Sequence, residues 1–190
     1  EAGARHKGLS VLFAEKEPGD ALHPPVMTGA PILCVGYHGI RSYTMSLDGL
    51  MVPAENLLGG VEGEGFVQTM SALETGRLQT SARALGVMQA ALEDAIGYVH
   101  ERQQFGRAIG AFQVIAHKVA HMATLSESAR QLVYSVARKM DDGERADKEA
   151  SMAKSHATEV AFQVADENLQ IHGAYGYSME YDAQRYWSDA

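Results

Sequence analysis

Over the second two-thirds of the chain, apolar residues recur in steps of three and four. From 111 to 140 they fall at Phe112, Ile115, Val119, Met122, Leu125, Ala129, Leu132, Val136 and Met140, one stripe of a long amphipathic helix. Asp141-Asp142-Gly143 then places a glycine where a helix C-terminus commonly needs one. A second long helix is expected from Ala146-Asp147 towards Leu169, ending at Gly173. Between Glu64 and Arg102 the stripe Ala84, Val87, Met88, Ala91, Leu92 and Ala95 predicts further helix, in two segments joined around Glu74-Thr75-Gly76. Long helices joined by short glycine-containing links predict an antiparallel four-helix bundle.

The first 60 residues follow a different pattern. All five prolines lie there, and short apolar runs alternate with turn residues. Gly8 to Ala14 reads as a strand ending in Glu17-Pro18-Gly19-Asp20, Pro31 to Val35 as a second, and Ser42 to Leu47 as a third. Asp48-Gly49 is a hairpin-type turn, followed by a short Leu50-Met51-Val52 closed by Pro53. Strands without intervening helices predict an antiparallel unit. The class expected is α+β: a β-barrel-like part over 1–60, then a helical bundle over 61–190.

Composition narrows the function. At 46% hydrophobic and 21% charged residues the chain is globular, and a net charge of −8 with no basic run disfavours nucleic-acid binding. One cysteine, Cys34, excludes an internal disulfide framework and a cysteine zinc cluster, and fits a reducing compartment. It sits in an apolar run and is expected to be buried. No apolar stretch approaches the ~18 residues of a membrane span. The first residues, Glu1 to His6, resemble neither a signal nor a transit peptide.

Several spacings invite chemistry. His117 and His121 share a helix face, but Lys118 occupies the place where a zinc protease carries its glutamate, and no third ligand suggests itself; they read as helix-surface or satisfied core histidines. No histidine has Glu three residues before it, which excludes a di-iron bundle. The glycines of Gly60-Val61-Glu62-Gly63-Glu64-Gly65 are accompanied by acidic residues that would repel phosphate, so turn chemistry explains them better. Glu101-Arg102-Gln103-Gln104-Phe105-Gly106-Arg107 holds cations, amides and an aromatic ring within a few residues. Arginine can pair bidentately with phosphate and phenylalanine can lie against a flat heterocycle; a plain helix–loop–helix corner is equally open on chemistry alone. From Gln170 to Tyr177 a helix runs out into small residues that permit close backbone approach.

Taken in order, these residues resemble the acyl-CoA dehydrogenase family of flavoproteins. Val52-Pro53-Ala54-Glu55-Asn56-Leu57-Leu58-Gly59 is similar to its junction between β-domain and C-terminal helical domain. Gly63-Glu64-Gly65-Phe66 and Gly76-Arg77 follow. The run Glu101 to Ile109 with Phe112-Gln113 is similar to its most recognisable helical signature. Lys148 to Lys154, the run Gln170 to Tyr177, Glu180-Tyr181 and Arg185 complete the likeness, which covers the whole chain and is best from residue 52 onwards.

The resemblance implies an FAD enzyme that removes two hydrogens from an acyl-CoA thioester to give a trans-2-enoyl-CoA, as in fatty-acid β-oxidation, with electrons passing to an electron-transfer flavoprotein. It implies that Arg102, Gln103, Gln104 and Phe105, with Phe112 and Gln113 beside them, contact the adenine–pyrophosphate part of FAD, and that Gln170, Ile171, His172, Gly173 and Ala174 approach the same cofactor. For Phe112, core packing remains equally open; Tyr175 and Tyr177 read as packing residues. Glu74, Thr75, Gly76 and Arg77 are similar to the segment lining the acyl-CoA site. FAD is reached across a subunit boundary in the family, which implies a homodimer or homotetramer, in the bacterial cytoplasm or the mitochondrial matrix.

The chain also departs from the family pattern. The usual glutamate base lies in a Tyr-Glu-Gly-Thr-like segment, and the sequence ends at Trp187-Ser188-Asp189-Ala190, before any such segment. The alternative base position, immediately before Arg77, is Gly76, and Ser188 replaces the usual arginine of the final turn. No catalytic residue and no metal ligand is therefore assigned, and negligible activity is expected of the chain alone. Two rival readings are a flavin-dependent monooxygenase or oxidase on the same fold and a non-catalytic helical scaffold.

Overall fold

The computed structural model describes residues 5–17, 19, 22 and 25–190. The expected turn at Pro18 and Asp20 and the segment 1–4 lie outside these residues. Contacts divide the chain into two units, Glu1–Leu73 and Glu74–Ala190. The division falls inside a helix, not at residue 60, where the proline-rich composition ends.

In the first unit, β1 (Met27–Ile32) pairs antiparallel with β2 (Ser42–Leu47), from Met27 opposite Leu47 to Ile32 opposite Ser42. β2 coincides with the expected strand, whereas β1 begins and ends earlier than the run 31–35. The expected strand at 8–14 does not form. Arg5–Gly8 is a 3-10 turn, and beyond it Leu12 makes a single bridge to Leu57. Its partner segment is curled by 3-10 turns at Ala54–Asn56 and Leu58–Gly60, so there is no strand-length edge to pair with. Residues 50–52 are likewise irregular. Cys34 corrects another expectation: it is exposed. It lies in the link between β1 and β2, and Leu33 beside it is 98% exposed, because among the described residues no second layer covers the two-stranded hairpin there.

The second unit is built from long helices. α1 (Gly65–Glu101) is one continuous helix of 37 residues, with no break at 74–76. An internal glycine costs only about 1 kcal/mol relative to alanine, which packing along so long an element outweighs. α2 (Gln113–Asp141) and α3 (Asp147–His172) follow, then a 3-10 turn at Gly173–Tyr177 and the short α4 (Ala183–Asp189). Gly143 adopts φ 74° just past the end of α2, where its expected terminating role places it.

Side-chain pairs set the helix directions. Lys118 meets Glu167, Ser128 meets His156, and Lys139 meets Glu149, so α2 and α3 run antiparallel. Asp94 meets Asn168 and Tyr98 meets His172, so α1 and α3 run parallel. The core between them is formed by Met88, Ala91 and Ala95 of α1, Met122, Ala129, Val133 and Val136 of α2, and a run of alanines on α3. Ala150, Ala153, Ala157 and Ala161 are fully buried at steps of three and four. Small side chains on that face let the neighbouring helices approach closely. Among the described residues no helix is long and apolar enough to cross a membrane.

Candidate functional site

The link between α1 and α2 folds as a miniature hairpin. β3 (Gln103–Gln104) pairs antiparallel with β4 (Arg107–Ala108). Phe105 and Gly106 form its turn with φ 54° and 81°, both in the left-handed region that a two-residue hairpin turn requires. Glycine accepts that conformation freely; for phenylalanine it costs about 1–2 kcal/mol. The ring is nevertheless 91% exposed, so burial does not repay the strain. Gln103, Gln104 and Arg107 are exposed beside it.

Arg102 and Arg107 give this corner its charge. Among the described residues neither forms an ion pair with a carboxylate, although the chain as a whole is acidic. Each guanidinium lies instead over an aromatic ring: Arg107 over Phe112 at 4.1 Å, and Arg102 over Tyr175 at 5.1 Å. Cation–π contact leaves the guanidinium edges available for further hydrogen bonds. Phe112 caps the start of α2 and touches the edge of Phe105 at 6.1 Å between ring centres. It is half-buried and stands outside the core cluster, which favours a surface role over the packing alternative. Gln113, the first residue of α2, is exposed.

The Arg102–Tyr175 contact brings the second expected segment to the same corner. Gly173, Ala174 and Gln170 are exposed there, while the side chains of Ile171 and His172 are buried in the bundle. A ligand on this surface would therefore meet backbone, not side chain, at 171 and 172. The turn is held tightly: a Cβ at Gly176 would lie 2.4 Å from the Leu169 carbonyl oxygen and 3.0 Å from His172 Cβ. Tyr177, expected as a packing residue, is 87% exposed.

Glu74, Thr75, Gly76 and Arg77 lie elsewhere. They occupy α1 at least 24 residues before its end, roughly 40 Å along the axis from Arg102 at a rise of about 1.5 Å per residue. The carboxylate of Glu74 accepts a hydrogen bond from the Ala146 backbone N–H at 2.9 Å, completing the start of α3, which no side chain of its own caps. Gly76 is two positions further on, so the two residues point about 160° apart. His117 and His121 are exposed, and the described residues contain no cluster of metal ligands.

Residues 63–190 match the family model described as acyl-CoA dehydrogenase, C-terminal domain. The chain belongs to the acyl-CoA dehydrogenase family. It is 48% identical over 188 residues to (2S)-methylsuccinyl-CoA dehydrogenase of Cereibacter sphaeroides, covering 97% of this chain and 34% of that relative. With 3-(aryl)acrylate reductase of Clostridium sporogenes it is 42% identical over 183 residues, covering 96% of this chain and 47% of the relative. The solved structure of butyryl-CoA dehydrogenase from Megasphaera elsdenii superposes with a TM-score of 0.90 at 38% identity, over 97% of this chain and 46% of that one. The chain thus spans half or less of these acyl-CoA dehydrogenase relatives. Members of the family are FAD flavoproteins.

FAD suits the donor set at the hairpin corner. A dinucleotide presents two phosphates and a flat adenine, and the corner presents two unneutralised guanidinium groups, two exposed amides and an exposed ring. Arg107 stands within the Glu101–Ile109 motif without being one of the contacts the resemblance implies; that no carboxylate among the described residues pairs with it is a property of the fold.

Two phenols are partly buried in the helical unit, Tyr98 one turn before Arg102 and Tyr186 on α4. Burial pushes the Tyr98 and Tyr186 hydroxyls above the ordinary phenol range. The fold thus favours their neutral forms, and the stability this contributes is present below about pH 10 and lost as pH rises through the raised folded-state values. Thermal midpoints measured from pH 8 to 11 are expected to fall less steeply for Tyr98→Phe than for the natural sequence. Parallel curves would contradict the assignment.

Proposed function

We propose that this chain is the cofactor-docking helical part of an FAD-dependent enzyme that interconverts an acyl-CoA thioester and its trans-2-enoyl-CoA. The observation that carries the reading is the hairpin corner: a strained, exposed Phe105 between two arginines that no carboxylate among the described residues neutralises. Arg102 and Arg107 would hold the pyrophosphate, Gln103 and Gln104 would donate beside it, and Phe105 would lie against adenine, with Phe112 and Gln113 supporting them. Gln170 and the backbone of 171–174 would close the same surface. When bound, FAD supplies the two-electron acceptor that no amino-acid side chain offers.

Desaturation removes a proton from the α-carbon and a hydride from the β-carbon. Residues on this chain orient the reactants; we assign none of them the proton transfer. Glu74 is engaged at the start of α3 and Gly76 has no side chain, so the general base comes from outside the acyl-CoA segment 74–77. That segment and the cofactor corner are separated by 24 or more residues of α1. A complete site built from both would draw on two copies of the chain, which supports a homodimer or homotetramer. Electron-transfer flavoprotein is the electron acceptor we expect.

A second direction is favoured by a specific finding, the reductase among the relatives. The same binding groups serve both directions, since a catalyst accelerates forward and reverse alike. The test is a steady-state assay of the full-length enzyme with FAD, an acyl-CoA and an electron acceptor, and separately with an enoyl-CoA and an electron donor. Formation of enoyl-CoA in the first is expected. Neither product forming across a range of acyl chains would overturn the proposal and favour the scaffold reading.

A further inference from the structure

Behind the hairpin corner lies a polar cluster in a core made chiefly of alanine, valine and methionine. The imidazole of His172 is buried, its side chain 1% exposed. Its Nδ1 lies 2.9 Å from the Asn168 carbonyl oxygen, one turn earlier on α3. A carbonyl can only accept, so Nδ1–H donates; Nε2 faces the Asp94 carboxylate of α1 at 3.6 Å, beyond hydrogen-bond distance, a contact that is attractive where Nε2 carries a proton as well. Asn168 donates its amide to the same carboxylate at 2.9 Å, while its Oδ1 is buried with no partner among the described residues. Tyr98 stacks on the imidazole at 3.9 Å between ring centres, and Tyr181 meets it edge-on.

Such a cluster is an expensive way to fill a core. An unsatisfied buried amide oxygen and a half-exposed carboxylate contribute less to stability than apolar side chains of the same shape would. What the cluster does provide is a fixed geometry. Asp94 and Tyr98 belong to the last two turns of α1, four residues apart, and Tyr98 is one turn before Arg102, whose backbone N–H it accepts at 2.9 Å. On the other side, His172 is the last residue of α3, directly before the 173–177 turn that carries Tyr175 to the Arg102 guanidinium. Asp94, Asn168, His172 and Tyr98 thus tie the end of α1 to the end of α3, at the point where each delivers its part of the corner.

We propose that His172 is a positioning residue for cofactor binding: through Asp94 and Tyr98 it fixes the Arg102 guanidinium and the exposed backbone of 173–174 in one arrangement that receives the phosphates of FAD, without touching the cofactor through its side chain. The inference rests on the assignment of FAD to this corner.

The experiment is FAD titration of the full-length apoenzyme, read by flavin fluorescence, with the urea unfolding midpoint of each apoprotein measured alongside. His172→Phe keeps the ring and the stacking on Tyr98 but removes both nitrogens, and is expected to raise the FAD dissociation constant about tenfold, as loss of one or two charge-assisted contacts does. His172→Gln, whose amide reaches the position of Nε2 and so keeps the link to Asp94, is expected to recover binding to within about threefold of the natural enzyme. A lowered unfolding midpoint with unchanged FAD affinity would show a merely structural role and overturn the proposal. If His172→Phe does not fold, Asp94→Asn tests the same link from a half-exposed position; weakened binding is expected, and unchanged affinity overturns the inference. Arg102→Ala separates the two levels: if it leaves FAD binding intact the cofactor assignment itself fails, whereas weakening by Arg102→Ala with no effect at 94 or 172 removes only the positioning role.

Discussion

Arg102→Ala in the full-length enzyme is expected to weaken FAD binding about 30- to 1000-fold, corresponding to roughly 2–4 kcal/mol, the loss that follows when a bidentate charged contact to phosphate is removed. The guanidinium has no carboxylate partner among the described residues and leans on Tyr175, so its removal leaves no buried charge unpaired and the helices should stay folded. Unchanged far-UV circular dichroism with lost flavin is therefore the expected pairing. Lysine should restore little, because a point charge lacks the planar fork and stacks less well on the ring. An Arg102→Ala enzyme that retains FAD at natural affinity would remove the assignment of this corner.

The second large effect concerns the bundle. Met88 is fully buried where α1 meets the other helices, and is among the largest side chains with no exposure at all. Truncation to alanine is expected to destabilise the fold by about 2–5 kcal/mol, from lost burial and the cavity left behind. Most neighbouring core side chains are alanine or valine, too short to collapse into the space. Met152 is the natural control: it is 51% exposed on α3, and its replacement by alanine is expected to shift stability by no more than about 0.5 kcal/mol. Urea unfolding midpoints read both, and equal effects would contradict the packing described.

The helical part was legible because its signal is repetitive. Nine apolar positions in steps of three and four place α2, and Gly143 marks its end through a backbone angle that the sequence implies. The failures have local causes. Gly76 looks like a break in isolation, yet a single glycine cannot interrupt a helix anchored on both sides. The run 8–14 has strand composition, but a strand needs a partner edge, and the segment opposite it is curled. Cys34 has apolar neighbours in sequence and, among the described residues, no second layer over it in space. The candidate site divides in the same way: Arg102 and Phe105 stand out as residue types, whereas the strain at Phe105 and the lack of a carboxylate on Arg107 among the described residues are properties of the folded hairpin. Asn168 and His172 are spaced one turn apart on the buried stripe of α3, a polar pair in an apolar phase. That signal was present in the sequence; what it joins, Asp94 on α1, was not.

The most direct measurement is a crystal structure of the full-length enzyme with FAD bound. The account predicts the pyrophosphate within hydrogen-bonding distance of Arg102, adenine against Phe105, and the exposed backbone at 173–174 alongside, with the 74–77 segment of that same copy roughly 40 Å away along α1. FAD seated with no contact to Arg102, Phe105 or the 173–174 backbone of any subunit would contradict it.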